Sequence, residues 1–200
     1  MATIESASGR RPLVSLIGGE STGKSTLARR LAEVLPGLLV PEVLRTWVRE
    51  RGRVPDAVEQ WEVMRLQSAA EAAALRDLAA ASAASAASAT QFASADGPPP
   101  PRWVISDSGP LMTAVYSMLY YDDGSLLPVA LSSIRGSALV VWCGDEIPWE
   151  AEVGVRDGEH MRAEAQRLID SVLRDVADPP VIGVRGTVAD RADQVRKALR

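Results

Sequence analysis

One eight-residue segment constrains the fold of this chain more than any other feature. Residues 18–25, with the sequence GGESTGKS, match the pattern G-x-x-x-x-G-K-[ST] at every fixed position. The apolar run 13–17 precedes the segment, and residues 26–35 follow it with apolar side chains at helical spacing. A strand, a glycine-rich loop and a helix in this order predict a phosphate-binding loop. The alternative is a glycine-rich turn that binds nothing.

The residue types in this segment suit the binding of ATP with Mg²⁺. Glycines allow a tight turn in which successive backbone N–H groups converge on one point, and the following helix directs its positive dipole end to the same point. Lys24 supplies a mobile cation for the β- and γ-phosphates, and the Ser25 hydroxyl is a candidate Mg²⁺ ligand. The residues predicted to contact the nucleotide are Gly19, Glu20, Ser21, Thr22, Gly23, Lys24, Ser25 and Thr26.

Further apolar runs at 38–41, 103–107, 138–143 and 181–184 alternate with helical patterns along the chain. This alternation predicts an α/β fold of the P-loop NTPase type, with an open parallel sheet of about five strands and helices on both faces. A length of 200 residues suits a single domain spanning 1–200. Residues 80–101, rich in Ala, Ser and Pro, are predicted to be an insertion within that domain, a frayed helix followed by a flexible loop.

Composition excludes several classes of protein. The chain has 22 basic and 26 acidic residues, a net charge of -4, which argues against a nucleic-acid-coating protein. The single cysteine, Cys143, and the single histidine, His160, cannot form an internal disulfide or a Cys/His metal cluster. Residues 1–11 contain no apolar core of signal-peptide length, and no apolar run anywhere in the sequence is long enough to span a membrane. We therefore expect a cytoplasmic protein that is not membrane-bound; the oligomeric state stays open.

Asp107 is the candidate acidic partner of the phosphate loop. It ends the apolar run 103–107, and the carboxyl ends of parallel strands line the ligand crevice of an open sheet. We expect Asp107 to act with Ser25 as a Mg²⁺ ligand and to take part in catalysis. Alternatively, or in addition, Asp107 caps the helix that begins near Gly109-Pro110.

The polar, glycine-containing residues 147–162, here called the lid segment, have the composition of a mobile lid between a strand and a helix. Arg156 and Arg162 are candidates for an arginine that closes over the γ-phosphate and stabilises the transferring phosphoryl group. The alternative for each is a solvated surface arginine. His160 is interpreted as a polar residue near a helix start rather than as a catalytic base.

Several of these features together resemble the ribosylnicotinamide kinase domain of NadR-type proteins. The matching segments are 19–26, Pro41-Glu42 with Arg45 and Trp47-Val48, Asp107 with Thr113 and Tyr116, and Ile147-Pro148-Trp149 with Arg156-Asp157. The resemblance covers nearly the whole chain apart from 80–101. It is specific, because a glutamate inside the loop and Pro-Trp before the lid are not general features of phosphate loops.

The resemblance implies a nucleoside-kinase-like fold with a lid, ATP and Mg²⁺ as cosubstrates, and phosphoryl transfer to the 5′-hydroxyl of a nucleoside. By that analogy Glu42, Arg45 and Trp47 face the acceptor, with Gln67 as a weaker candidate. Trp47 could stack on a base or a pyridinium ring, or it could be a core aromatic residue of an amphipathic helix.

The chain departs from the family pattern at one notable point. The family usually carries Asp-x-Asp where this chain has Asp107-Ser108-Gly109, so the second carboxylate is missing. The adenylyltransferase domain that often precedes such kinases is also expected to be absent, since the first predicted strand begins at Leu13. A small-molecule kinase is therefore the leading hypothesis. The alternative is an NTPase switch, in which ATP binding changes the shape presented to a protein partner.

Overall fold

The computed structural model describes residues 9–89, 100–148 and 159–200. Its strands are β1 (Arg11–Ile17), β2 (Gly37–Val40), β3 (Trp103–Asp107), β4 (Ser137–Cys143) and β5 (Val181–Val184). Its helices are α1 (Lys24–Val34), α2 (Val43–Arg51), α3 (Glu59–Ala89), α4 (Pro110–Tyr121), α5 (Leu127–Ile134), α6 (Glu159–Arg174) and α7 (Val188–Ala198). Within the described chain, no helix is long and apolar enough to cross a membrane.

The five strands form one parallel sheet in the order β2-β3-β1-β4-β5. The fold predicted from the sequence is confirmed. β1 is the central strand, so the loop that follows it opens at the middle of the carboxyl edge of the sheet. Leu16 of β1 is in register with Asp107 of β3, which sets the Asp107 carboxylate beside the start of that loop.

Helices cover both faces of the sheet, as a fully buried parallel sheet requires. On one face, α1 and α7 pack their apolar side chains, among them Leu27, Leu31 and Val195, against β1 and β4. On the other face, α4, α5 and α6 enclose a second core around Ile17 and Val140. The long helix α3 closes the side of the sheet near β2 and β3.

The helix α3 continues through Ala89, into the alanine-rich part of 80–101. Leu78 is the last buried apolar side chain among the residues of α3 whose burial is described, and residues 79–86 are half-buried or exposed. High helix propensity of alanine explains why the helix persists there. Residues 90–99 lie outside the described part of the chain, and the interpretation of 80–101 as an insertion stays a prediction.

Candidate functional site

The phosphate loop, residues 18–25, follows β1 and ends at the first turn of α1. Gly23 has a φ of 78°, a left-handed conformation that favours glycine, and a Cβ at this position would come within 2.8 Å of the Ile147 side chain. A Cβ on Gly18 would lie 2.8 Å from the carbonyl oxygen of Cys143. Gly18 is therefore required by the close approach of the loop to the end of β4, and Gly23 is favoured by its left-handed backbone beside Ile147.

Lys24 and Thr22 fold inward and fix the shape of the loop. The Lys24 Nζ and the Thr22 Oγ1 each donate a hydrogen bond of 2.8 Å to the carbonyl oxygen of Gly19. An ammonium group has three hydrogens, so Lys24 retains donors for a phosphate after bonding Gly19. The first turn of α1 contains no acidic residue, which leaves the positive end of the helix dipole available to an anion.

Arg191 of α7 is a part of the site that the sequence analysis missed. Its side chain is only 1 % exposed. It donates to the carbonyl oxygen of Thr22 at 2.7 Å, to that of Gly186 at 3.1 Å and to the Glu146 carboxylate at 2.7 Å. Burial opposes ionisation of Glu146, but hydrogen bonds to the backbone and to Arg191 outweigh burial and lower its pKa. One buried guanidinium thus ties the phosphate loop to the loops after β4 and β5.

The only sequence signal for Arg191 is its phase on α7. Val188, Arg191, Ala192 and Val195 follow the i, i+3, i+4, i+7 spacing of a helix face that packs on a core. An arginine on such a face is rarely buried unless it is paired. This conflict between position and charge could have drawn attention to it.

Arg162, predicted to be a lid arginine, lies against the phosphate loop. Its side chain is buried, and its Cγ would lie 3.1 Å from a Cβ on Gly19. Its guanidinium donates to the backbone oxygens of Asp145 and Ile147 at 2.7 and 2.9 Å. Arg162 therefore anchors the start of the lid segment in this structure. Arg156, the other predicted lid arginine, lies outside the described residues, as does Trp149.

Asp107 ends β3 and is buried beside the phosphate loop. Its Oδ1 atom has no hydrogen-bond partner among the described residues. Gly109 occupies the N-cap position of α4 and, within the described chain, no side chain caps that helix, so Asp107 does not serve as its cap. An unpartnered buried carboxylate oxygen is rare in proteins and marks a position where a ligand can bind.

A cleft lined in part by Ser108, the residue after Asp107, is the candidate acceptor site. We call it the acceptor cleft, and it is lined by Glu42, Leu44, Gln67, Ser108, Met112, Thr113 and Tyr116. Glu42 and Gln67 were predicted from the resemblance to face the acceptor. Within the part of the chain that the structure describes, no lysine or arginine lines this cleft.

Arg45 and Trp47, the other two residues expected near the acceptor, do not line the acceptor cleft. The Arg45 side chain is 62 % exposed and pairs with the Glu42 carboxylate at 3.5 Å. Trp47 is buried, and the guanidinium carbons of Arg51 and Arg53 lie 4.3 and 5.3 Å from its ring centroid. The π face of Trp47 is thus engaged by the chain's own cations.

Tyr116 contributes a neutral phenol to the cleft. Burial is the main cause that raises its pKa well above the usual value, and the negative charges of Glu42, Glu20 and Asp107 raise it further. The phenol therefore keeps its proton at any physiological pH and can donate a hydrogen bond to a bound molecule.

The position of the missing second carboxylate, Gly109, has no room for a side chain. A Cβ there would lie 2.4 Å from Ser15 Oγ and 3.0 Å from Glu71 Oε1. Glu71 reaches this place from α3, and its carboxylate accepts a 2.6 Å hydrogen bond from Ser106 Oγ. Burial raises the pKa of Glu71 to about 7, against the opposing effects of the Ser106 hydrogen bond and the Arg11 charge. The sequence analysis did not identify Glu71, although it lies in helical phase with Gln67 and Leu78.

Comparisons with known proteins agree with this architecture. An AAA domain family model matches residues 13–191. A crystal structure of NadR protein in complex with NR superposes with a TM-score of 0.66 at 20 % identity, and a NadR complex with NAD and AMP-PNP superposes with 0.65 at 19 %; each covers 94 % of this chain. This chain spans about half the length of those NadR chains, 49 % in each case.

Thymidylate kinase from Candida albicans is similar in fold over nearly its whole length. Its TM-score is 0.54 at 16 % identity, over 94 % of this chain and 90 % of the kinase. No curated protein sequence matches this chain. At such identities the structural likeness establishes the fold, and the family is established by the match over most of the chain. This chain therefore belongs to the AAA domain family, with the five-stranded parallel sheet of the P-loop kinases.

Proposed function

We propose that this protein is an ATP-dependent small-molecule kinase that transfers the γ-phosphate of ATP to the 5′-hydroxyl of nicotinamide riboside or a related nucleoside. The observation that carries the proposal is the position of Asp107. Its buried carboxylate, with Oδ1 unpartnered in the described chain, lies at the end of β3. Asp107 is in register with Leu16, just before the phosphate loop, and the next residue, Ser108, lines the acceptor cleft, which supports a position near both substrates. A kinase needs a carboxylate at the junction of donor and acceptor.

On the donor side, the proposed roles follow from the geometry of the phosphate loop. Backbone N–H groups of 19–26 and the start of α1 would bind the phosphates, and Lys24 would neutralise charge that develops on the transferring group. The Ser25 hydroxyl and the Asp107 carboxylate are oxygen ligands of the type that holds Mg²⁺ in P-loop proteins, and the unpartnered Asp107 oxygen fits that role. Bound there, Mg²⁺ would supply neutralisation of the phosphate oxygens. Arg156 and Arg162 would complete the site when the lid segment closes.

On the acceptor side, the lining residues suit a neutral or cationic nucleoside. Glu42, Gln67 and Thr113 offer hydrogen-bonding groups for sugar hydroxyls, and the described lining residues include no cation that would bind an acceptor phosphate. In the transfer, the acceptor oxygen forms a bond to the γ-phosphorus while the bond to the β,γ-bridging oxygen breaks. The hydroxyl proton passes to Asp107 or Glu42, and ADP leaves. One of the similar NadR structures is described as a complex with NR and another as a complex with AMP-PNP.

The net charge and the single buried cysteine are compatible with the cytoplasm, where ATP and nucleosides are available, and we propose that location. The function is tested by measuring ADP formation from ATP and Mg²⁺ with and without nicotinamide riboside. We expect ADP to form at a rate that depends on the nucleoside and to fall on the change Asp107→Asn. ADP formation that is independent of every added nucleoside would instead support the NTPase switch.

A further inference from the structure

A chain of buried hydrogen bonds runs beneath the acceptor cleft, from α3 to the start of α2. Ser106 Oγ donates to Glu71 Oε1 at 2.6 Å, and Gln67 Nε2 donates to Ser106 Oγ at 3.3 Å. Gln67 Oε1 then accepts from the backbone N–H of Val43 at 2.9 Å. Glu71, Gln67 and Ser106 are all at least nine-tenths buried. Four groups from three elements are thus joined in one series.

The direction of this series is set by Glu71. A hydroxyl has a single hydrogen, and Ser106 uses it on the Glu71 carboxylate, so its oxygen is left as an acceptor. The Ser106 oxygen can therefore accept a hydrogen bond only from the amide nitrogen of Gln67. This orientation of the amide leaves the Gln67 oxygen facing the Val43 N–H. A residue without an acceptor oxygen at position 71 would free the Ser106 hydrogen and remove this restriction.

The far end of the series holds the first turn of α2. Val43 is the first residue of α2, and the N-cap residue Glu42 provides no capping hydrogen bond from its own side chain within the described chain. Gln67 Oε1 satisfies the Val43 N–H that would otherwise lack a partner. Because Glu42 immediately precedes Val43 and Ser106 immediately precedes Asp107, the series fixes the backbone next to both carboxylates that we place near the acceptor.

A carboxylate is an expensive choice for this buried place. Burying an ionisable group without a full partner costs free energy, and an apolar side chain of similar size would fill the same space but would offer Ser106 no acceptor oxygen. Arg11 is the charged residue whose field favours the ionised form of Glu71, and the pKa of Glu71 nevertheless rises to about 7. The Glu71 carboxylate also lies close to Gly109, the N-cap residue of α4, where no side chain fits.

We propose that Glu71 is a positioning residue for the acceptor half of the site, acting through Ser106 and Gln67 to hold Glu42 and the start of α2 at the acceptor cleft. This proposal rests on the proposed kinase function for its catalytic consequence. Glu71 itself touches neither donor nor acceptor, and it is distinct in this respect from Asp107 and Glu42.

The catalytic consequence is tested by steady-state kinetics with ATP and nicotinamide riboside. In Glu71→Ala we expect KM for the nucleoside to rise about 10-fold or more while KM for ATP stays within about 2-fold, since loss of a buried hydrogen-bond partner corresponds to such factors. Glu71→Gln retains an acceptor oxygen for Ser106 and should stay within about 3-fold of wild type. Asp77→Asn, an exposed carboxylate on the same helix, is the matched control and should change neither KM.

A second measurement does not depend on any acceptor. Amide hydrogen exchange should show protection of α2 reduced about 10-fold or more in Glu71→Ala, with protection of α1 unchanged. Ser106→Ala keeps Glu71 but breaks the series of hydrogen bonds, and it should show the same loss of α2 protection. This variant replaces Glu71→Ala in the experiment if Glu71→Ala does not fold. Combining Ser106→Ala with Glu71→Ala should add little to either single change.

The possible outcomes separate the two proposals. Unchanged exchange of α2 in both single variants would overturn the positioning role, whatever the acceptor is. Equal rises of both KM values in Glu71→Ala, or Glu71→Gln as impaired as Glu71→Ala, would overturn it as well. A wild-type protein that turns over no nucleoside, with α2 exchange behaving as expected, would instead contradict the proposed kinase function and leave the structural link from Glu71 to α2 supported.

Discussion

The two halves of the candidate site differ in how completely the protein satisfies their polar groups. Around the phosphate loop, Thr22, Lys24 and Arg191 all have hydrogen bonds within the protein, and a buried arginine fixes the loop from behind. At the border between the two halves, Asp107 Oδ1 and Ser108 Oγ, the latter on a residue that lines the acceptor cleft, are buried with no hydrogen-bond partner in the described chain. Such orphaned groups are costly unless something binds to them. We therefore infer that the chain itself preorganises the donor half and that bound ligands satisfy the unpartnered groups of Asp107 and Ser108.

Replacement of Lys24 should have the largest effect on the donor half. The change Lys24→Ala removes the only cationic side chain of the phosphate loop, 18–25, which we propose neutralises the phosphates, and we expect turnover to fall about 100-fold or more. The fold should persist, because the Lys24 amine makes one bond to its own loop. Lys197→Ala, which changes an exposed lysine on α7, is the control. Wild-type turnover in a folded Lys24→Ala protein would contradict a role of the phosphate loop in phosphoryl transfer.

Arg191 tests whether the donor half is held rigid by the protein. Arg191→Ala leaves the Thr22 and Gly186 carbonyl oxygens and Glu146 without their buried donor, so we expect a loss of about 3 kcal/mol in the free energy of unfolding, measured by urea denaturation. The fork geometry of a guanidinium is needed, so Arg191→Lys should not restore the loss.

The control for this change is Arg196→Ala on the same helix. The exposed pair of Arg196 with Asp193 should contribute less than about 1 kcal/mol. If Arg191→Ala and Arg196→Ala destabilised the protein equally, the phosphate loop would not be anchored from α7 and the contrast between the two halves would weaken.

Glu71 gives the acceptor half a dependence of stability on pH. Its pKa is raised from 4.5 to about 7 in the folded protein, so between these values the unfolded chain has lost a proton that the folded protein retains. The free energy of unfolding therefore falls as pH rises through this window, by about 3 kcal/mol at about 1.36 kcal/mol per pH unit. Above pH 7 this contribution is constant.

Glu71→Gln does not titrate, so its stability relative to wild type should increase steadily from pH 4.5 to pH 7. Thermal or urea unfolding at several pH values measures this difference. Asp77→Asn should show no such trend, since that carboxylate is exposed. A pH-independent difference between Glu71→Gln and wild type would mean that the carboxylate is not held in its neutral form by burial.

The smallest effect should come from Arg45. Its side chain is largely exposed and its ion pair with Glu42 is long, so Arg45→Ala should change the acceptor KM by no more than about 2-fold. The resemblance placed Arg45 near the acceptor, and a large rise in that KM would show that the side chain swings into the cleft when the acceptor binds. Glu42→Gln, which changes a residue that lines the cleft, provides the comparison.

The sequence predicted those features that depend on local pattern. Strand β5 was placed at 181–184, as found, and β1 and α1 were placed within two residues of their observed starts. Asp107 was predicted at the carboxyl edge because a strand end is a local signal. Arg191 and Glu71 could not be identified in the same way, because their partners are distant in sequence. Arg191 donates to a residue 169 positions away, and Glu71, on α3, accepts from Ser106 of β3, 35 positions away.

The most direct test of the account is to identify the product. Protein, ATP and Mg²⁺ are mixed with nicotinamide riboside, and the mixture is analysed by mass spectrometry for the phosphorylated nucleoside, with Asp107→Asn as the control. The account predicts one phosphorylated nucleoside for each ADP formed by the wild type and much less from the variant. Equal amounts of ADP and inorganic phosphate, with the nucleoside unchanged, would contradict the assignment of an acceptor half to this site.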